Sequence, residues 1–403
     1  MSQTSFADDD MPASKDVLLV GLGAVGAMYS LILKKSGQAS VTVVARSNYD
    51  AVSKNGMRFK SRKYGDIEGW KPDRLFAKLE HALDRPYSHV VVTTKAIPEL
   101  TRTPDLLAPL LAPPYASKHR QPTYVLMQNG LGVERDLYNA LKKLNAAEEP
   151  RIISTAVWIG TTLLAPDVCE HNDFDRVQMG VYRPTTTQTT NTPEEEALLR
   201  EFEGMLTAGG SDATVYPEIQ RVKFAKNFWS CILGASAALA RSPLQTIFRP
   251  PHMDPGASGV APPAPAPAPT DATASQQATA DIPYRSPAIR DATIPLLHDA
   301  LAEMHALGSV LFPATADGPG LEPDLALRTL RNTARLHCVP EASHRPSMLV
   351  DVEAGRPMEL DVVMGEVVRL ARANGVPIPR IETIYALLLV VQDQLLRGQR
   401  RAS

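Results

Sequence analysis

A chain of 403 residues with 44% hydrophobic and 21% charged side chains is long enough for two domains and apolar enough for a sizeable core. Its formal net charge of -2 makes no electrostatic case for nucleic acid or an anionic membrane, and the basic end from Arg397 to Arg401 is too short to change that. Three scattered cysteines, Cys169, Cys231 and Cys338, exclude a disulfide framework or a C-x-x-C zinc site and fit a reducing compartment.

The first residues are polar, with Asp8-Asp9-Asp10 among them, and have neither the order of a signal peptide nor the arginine-rich character of a transit peptide. No apolar run is long enough to span a bilayer. The expectation is a soluble, cytoplasmic protein with a tail over residues 1–15 and no membrane or nucleic-acid partner.

Val17-Leu18-Leu19-Val20 reads as a buried parallel strand running into Gly21-Leu22-Gly23-Ala24-Val25-Gly26, and Ala27, Met28, Leu31, Ile32 and Leu33 then give a helical apolar pattern. This is the strand-turn-helix in which G-x-G-x-x-G holds a dinucleotide. Gly21 permits the tight turn, Gly23 lets a pyrophosphate approach the backbone, and Gly26 lets helix and strand pack closely. Free N–H groups at the helix start then hold the phosphates. A second strand at 41–44 ends in Ala45-Arg46-Ser47. An acidic residue near here would hold the ribose hydroxyl of NAD, whereas an arginine pairs with the 2′-phosphate of NADP, so Arg46 points to NADP.

Residues 47–70 read as a polar, irregular piece. A buried strand at 90–94 carries Lys95-Ala96 at its carboxyl end, where doubly wound sheets bind ligands. The strand at 124–127 leads to Gln128-Asn129-Gly130-Leu131-Gly132 at the same edge, followed by a helix from about 133. Segments 151–155, 157–164 and 177–181 read as further strands, Thr192-Pro193 opens a helix with a threonine cap, and 213–215 closes the sheet. From Pro217 a long helix runs to about 240, stopped before Pro243. Beyond it we find helical spacing near 289–307, 323–336, 359–374 and 380–395, and no convincing strand.

The predicted organisation is an α/β, Rossmann-like doubly wound domain over 16–215, an all-α domain over 216–396 and a tail at 397–403. Within the second domain, 250–283 is rich in Ala and Pro and offers too little apolar surface to offset ordering entropy, so it reads as a disordered insertion.

Two constellations could carry chemistry. Lys223, Asn227 and Cys231 lie four apart in the long helix and share a face beside an apolar stripe of Phe224, Phe228 and Ile232. From spacing alone, a solvated lysine on an amphipathic helix is the better account of Lys223. Ser347 and Glu359, near the C-terminus, could be a helix cap and a capping acid. Nine histidines without an H-x-x-x-H pair or an H-E-x-x-H motif give no metal site.

Several motifs occur together in one order: Gly21-x-Gly23-x-x-Gly26, Arg46, Thr94-Lys95-Ala96, Gln128-Asn129-Gly130-Leu131-Gly132, Lys223-x-x-x-Asn227, Ser347-Met348-Leu349, Asp351-Val352-Glu353-Ala354-Gly355-Arg356 and Glu359-Leu360-Asp361. In this the chain resembles the ketopantoate reductase (2-dehydropantoate 2-reductase) family over nearly its whole length. The resemblance implies a 6-phosphogluconate dehydrogenase-like fold and NADPH-dependent reduction of ketopantoate to pantoate for pantothenate and coenzyme A biosynthesis. It makes Lys223 the general acid, places Asn227, Ser347 and Glu359 on the substrate, and puts Lys95 and Asn129 in the cleft beside the cofactor, with Asn129 also reaching the substrate. A homodimer is a candidate assembly.

One departure stands out. The family usually carries a second asparagine four residues after the first, and here that position is Cys231, which as a weak donor should cost one substrate contact. A paralogous reductase of another 2-keto acid, or an NADP-binding sensor without turnover, are the competing expectations.

Overall fold

The structure is a computed structural model that describes residues 14–185, 188–257, 271–316 and 318–402. Among the described residues ten strands form one sheet: β1 Lys15–Val20, β2 Ala39–Val44, β3 Met57–Ser61, β4 Gly65–Trp70, β5 Arg74–Phe76, β6 His89–Val92, β7 Thr123–Leu126, β8 Ile152–Ala165, β9 Val168–Val181 and β10 Asp212–Val215. The order is β4-β3-β9-β8-β7-β6-β1-β2-β5, with β10 on the far half of β9. From β5 through β2, β1, β6 and β7 to β8 every pairing is parallel. Chain direction across the sheet reverses at β1, which takes β2 on one side and β6 on the other, and the crevice outside that point is where doubly wound sheets bind ligands.

The last four residues of β1, 17–20, are an unbroken apolar run because they are covered on both faces. Val17 and Leu19 belong to the core beneath the Ala24–Lys35 helix, and Leu18 to the opposite one. That second core also contains Val90, Tyr124, Phe228 and Leu301, so one face of the sheet and the helical part of the chain share buried side chains.

After Val215 the described residues hold helices and no strand. The principal ones are Ile219–Phe228, which continues through a π-helical turn Trp229–Gly234 into Ala235–Ala240, then Ile294–Leu311, Leu325–His337, Ser347–Glu353, Glu366–Ala373 and Pro379–Ala402. The chain is thus a Rossmann-like doubly wound α/β domain followed by an all-α domain. Among the described residues no helix is long and apolar enough to cross a membrane.

Three expectations are corrected. Residues 47–70 are not irregular: they form the helix Tyr49–Asn55 and the hairpin of β3 and β4, and β3 takes its other partner from β9, with Arg58 opposite Val168. A strand completed by a segment so distant in sequence leaves only a short alternation, Met57, Phe59 and Ser61 inward, to be read locally. The separate strands at 151–155, 157–164 and 177–181 are parts of one long antiparallel hairpin of β8 and β9.

The third correction concerns the insertion at 250–283. Its last part is ordered: Thr273 and Gln276 form a reciprocal capping box that starts the helix Ala274–Ala278, Gln276 Nε2 donates to the Asp291 carbonyl at 2.9 Å, and Ile282 is buried. Buried Ile282, the cap, and polar contacts of Ser275 with His298 and Asp299 and of Asp281 with Arg331 dock a segment whose alanine content conceals them. The Ala-Pro run at 258–270 lies outside the described residues.

Candidate active site

A cleft of about 3190 Å³ opens along the carboxyl ends of β1, β6 and β7. At one end is the glycine loop. Gly21 has φ +103°, and its carbonyl accepts from Thr93 Oγ1 at 2.6 Å. A side chain at Gly26 would put Cβ 2.0 Å from that same carbonyl oxygen, so this glycine is what lets the helix sit on the turn. At Gly23 a Cβ would meet no chain atom within 4 Å, yet the residue lines the cleft with Gly21, Leu22, Ala24 and Val25. The space that glycine leaves there is open to a ligand.

The Ala24–Lys35 helix has no acidic residue in its first turn and no side-chain cap, so its first N–H groups and the positive end of its dipole face the cleft unopposed. These features fit a dinucleotide pyrophosphate. Arg46 is exposed on the wall of the cleft and makes no ion pair with another described residue. Sequence reasoning missed Asn48, whose buried amide donates to the carbonyls of Leu22 at 2.7 Å and Pro166 at 3.1 Å and so braces the loop. Nothing local to Asn48 signals a partner 118 residues away.

At the other end the two domains meet. Glu359 accepts from the Ala96 N–H at 2.9 Å and from Asn129 Nδ2 at 3.2 Å, so its carboxylate ties the β6 and β7 edges to the helical domain rather than capping a helix. Lys95 Nζ lies 2.5 Å from Asp351, a buried carboxylate that Arg356 also contacts at 3.2 Å. Ser347 is the first residue of its helix, exposed to the cleft, and makes no cap bond.

The long helix presents a different face from the expected one. Lys223 is 5% exposed and donates to Glu134 Oε1 at 2.5 Å, the same oxygen that Ser154 Oγ contacts. Burial works to raise the Glu134 carboxyl, but the Lys223 charge and the hydrogen bonds of Lys223 and Ser154 bring it below its ordinary value. Asn227 is buried too and donates to the Val363 carbonyl at 2.8 Å, locking the helix to the π-helical turn Asp361–Gly365. Lys223 and Asn227 border a recess of about 10 Å³ that Asn129, Lys226 and Ser230 share with the large cleft, which Ala225 and Trp229 also line. Lys226 Nζ donates to Asn129 Oδ1 at 2.8 Å and lies 5.8 Å from the centre of the Trp158 ring.

Cys231, expected to face the substrate, is fully buried in the apolar core, where burial pushes its thiol up. Counting by fours keeps Cys231 on the side of Lys223 and Asn227, but that side faces the interior, whereas Lys226 and Ser230, also four apart, line the cleft. Ser230 occupies the cleft position instead. Cys231→Asn should therefore give no substrate contact. It should lower stability by about 1–3 kcal/mol, the cost of an unsatisfied buried amide, read from the denaturation midpoint with kcat/KM measured alongside.

Comparison with known proteins gives a consistent result. The family model described as ketopantoate reductase PanE/ApbA matches residues 17–184, and the model of its C-terminal part matches 271–392. An uncharacterised protein of Saccharomyces cerevisiae, YDL144C, is 25% identical over 94% of this chain and 94% of its own. The crystal structure of 2-dehydropantoate 2-reductase from Methylococcus capsulatus is similar with a TM-score of 0.66 at 22% identity, covering 94% of this chain and 97% of that one. A ternary structure of D-mandelate dehydrogenase with NADH and anilino(oxo)acetate is similar with a TM-score of 0.65 at 14% identity, covering 94% and 99%.

Proposed function

This chain belongs to the ketopantoate reductase PanE/ApbA family, and from that premise we propose that it reduces a 2-keto acid to the 2-hydroxy acid with NADPH, with ketopantoate as the first candidate substrate. The observation that carries the reading is the cleft itself, which has an open glycine cradle at one end and a cluster of Asn129, Glu359, Ser347 and a helix lysine at the other. A bound dihydronicotinamide would supply the hydride that the keto carbon gains.

The chain's own residues supply the rest. The loop 21–26 and the N-terminus of the helix behind it would hold the pyrophosphate, with Lys95 and Asn129 alongside. Asn129, Ser347 and Glu359 would orient the acid, and an ammonium at the developing oxygen charge would stabilise and protonate it. NADPH oxidation against a panel of 2-keto acids that includes ketopantoate tests the reading. Absence of turnover with any of them would overturn it in favour of a sensor.

A second reading, reduction of a bulkier aromatic 2-keto acid, is favoured by Trp158 and Trp229, which both line the cleft beside Lys226. The ranking of the panel separates the two.

Arg46 should set cofactor choice. A charge-assisted contact contributes about 1.5–3 kcal/mol, so the parent should prefer NADPH to NADH by about ten- to a hundredfold, and Arg46→Asp should reverse the preference. Equal Kd values for the two cofactors in the parent would remove Arg46 from this role.

A further inference from the structure

We propose that Arg176 forms a second anion subsite in the cleft, which holds a carboxylate at the far end of the substrate, so that the preferred substrates are 2-keto acids with a second carboxylate. This inference rests on the proposed 2-keto acid reduction and names its substrate class.

Arg176 is a cation that the chain leaves without a countercharge. It lies on β9 directly opposite Trp158 on β8, and both side chains line the cleft. Its neighbour Asp175 points to the other face of the strand, where Lys63 and Tyr64 hold its carboxylate at 2.8 and 2.7 Å. Arg221, Arg328 and Arg356 line the same cleft from the helical domain, and each is paired with a carboxylate, that of Glu218, Asp324 and Asp351 in turn. Arg176 makes no ion pair with another described residue. Its contact is the Trp158 ring, whose centre lies 5.6 Å from Cζ.

The ring is a platform for it. Trp158 Nε1 donates to Gln178 Oε1 at 3.0 Å, which fixes the indole plane. A guanidinium laid over an aromatic ring keeps its fork of N–H groups free, and that fork matches a carboxylate in two parallel hydrogen bonds. Little side-chain freedom is then left to lose on binding.

The same ring ties this subsite to the reacting end of the cleft. Lys226 Nζ lies 5.8 Å from its centre and donates to Asn129, which donates to Glu359. Two cationic side chains beside one ring, at 5.6 and 5.8 Å from its centre, suit the two ends of a molecule only a few carbons long. A keto acid oriented by Asn129 and Glu359 would carry its second carboxylate to Arg176.

A cofactor phosphate does not account for this arginine. The far turn of the β8–β9 hairpin reaches the glycine loop, where Cys169 Sγ lies 3.7 Å from the Ala24 carbonyl oxygen. Arg176 stands roughly 20 Å of strand from that point, at about 3.3 Å per residue, which is farther than an arginine side chain reaches. Arg46 follows β2, with four strands between β2 and β9 in the sheet order.

The test uses the full-length protein and acids matched in chain length. With NADPH as reductant, kcat/KM for 2-oxoglutarate should exceed that for 2-oxovalerate, and that for 2-oxoadipate should exceed that for 2-oxohexanoate, by about ten- to a hundredfold, the gain from one charge-assisted contact. The difference should lie in KM and shrink with added salt, because a solvent-exposed charge pair is screened. Ketopantoate, which has no second anion, should fall in the class of the monocarboxylates. In Arg176→Gln the ratio within each pair should fall close to one. Arg176→Lys should keep only part of it, because an ammonium retains the charge and not the planar fork, and Trp158→Leu should lose part of it by removing the platform.

Binding without turnover is read by calorimetry on the NADPH-loaded protein, which cannot oxidise a 2-hydroxy acid. There 2-hydroxyglutarate should bind more tightly than 2-hydroxyvalerate in the parent and not in Arg176→Gln. A weakened NADPH Kd in Arg176→Gln would assign the arginine to a cofactor phosphate and overturn the subsite. Equal kcat/KM within the matched pairs, or an equal loss for both members of a pair in Arg176→Gln, would overturn it as well, while turnover of any member leaves the reduction standing. If no 2-keto acid turns over, the reduction falls, and the calorimetric preference by itself decides the subsite.

Discussion

Gly26→Ala is expected to abolish NADPH binding and to destabilise the fold, whereas Gly23→Ala is expected to abolish binding alone. A Cβ at position 26 would stand 2.0 Å from the Gly21 carbonyl oxygen and 2.5 Å from Thr93 Oγ1, so the turn and the helix must separate. Overpacking of this kind costs about 1–3 kcal/mol or more, and a displacement of about 1 Å in a positioned site can cost about a hundredfold. At position 23 the added methyl meets no chain atom and fills only the space that the phosphates would take. Thermal unfolding with and without NADPH, together with a fluorescence titration, separates the two effects. Undiminished NADPH affinity in Gly23→Ala would show that no pyrophosphate rests on this loop.

Glu134→Gln is expected to cost about 3–5 kcal/mol, because it leaves the Lys223 ammonium buried without its countercharge. Replacing both partners by apolar side chains, Glu134→Leu with Lys223→Met, should recover most of that loss, since the pair's attraction is set against the cost of desolvating both charges. The effect should depend on pH. The folded-state value of the Glu134 carboxyl lies below its ordinary 4.5, so its contribution is fully present above that value and is lost as pH falls through the folded one. The gap between parent and Glu134→Gln in urea midpoint should thus be wide at pH 7 and should narrow as pH falls below 4.5. A gap independent of pH would mean that the carboxylate charge is not what the site requires.

What could be read from the sequence is what depends on neighbours along the chain. An apolar strand, three glycines at fixed spacing and a helix define the dinucleotide turn within about twenty residues, and the Thr192 cap of the Pro193–Ala208 helix is equally local. The doubly wound order and the change to helices after Val215 follow from such segments taken in series.

The partners of the site residues could not be read that way. Asn48 braces the glycine loop through a carbonyl on a distant turn, and Glu359 reaches Ala96 and Asn129 across more than two hundred residues. Even along one helix, local periodicity placed Lys223, Asn227 and Cys231 on a common face but could not say what that face would meet. Packing against Glu134, the Val363 carbonyl and the apolar core turned all three inward. A helix sequence fixes which side chains share a stripe, but which stripe faces the cleft is decided by the surfaces it packs against, and those belong to other parts of the chain.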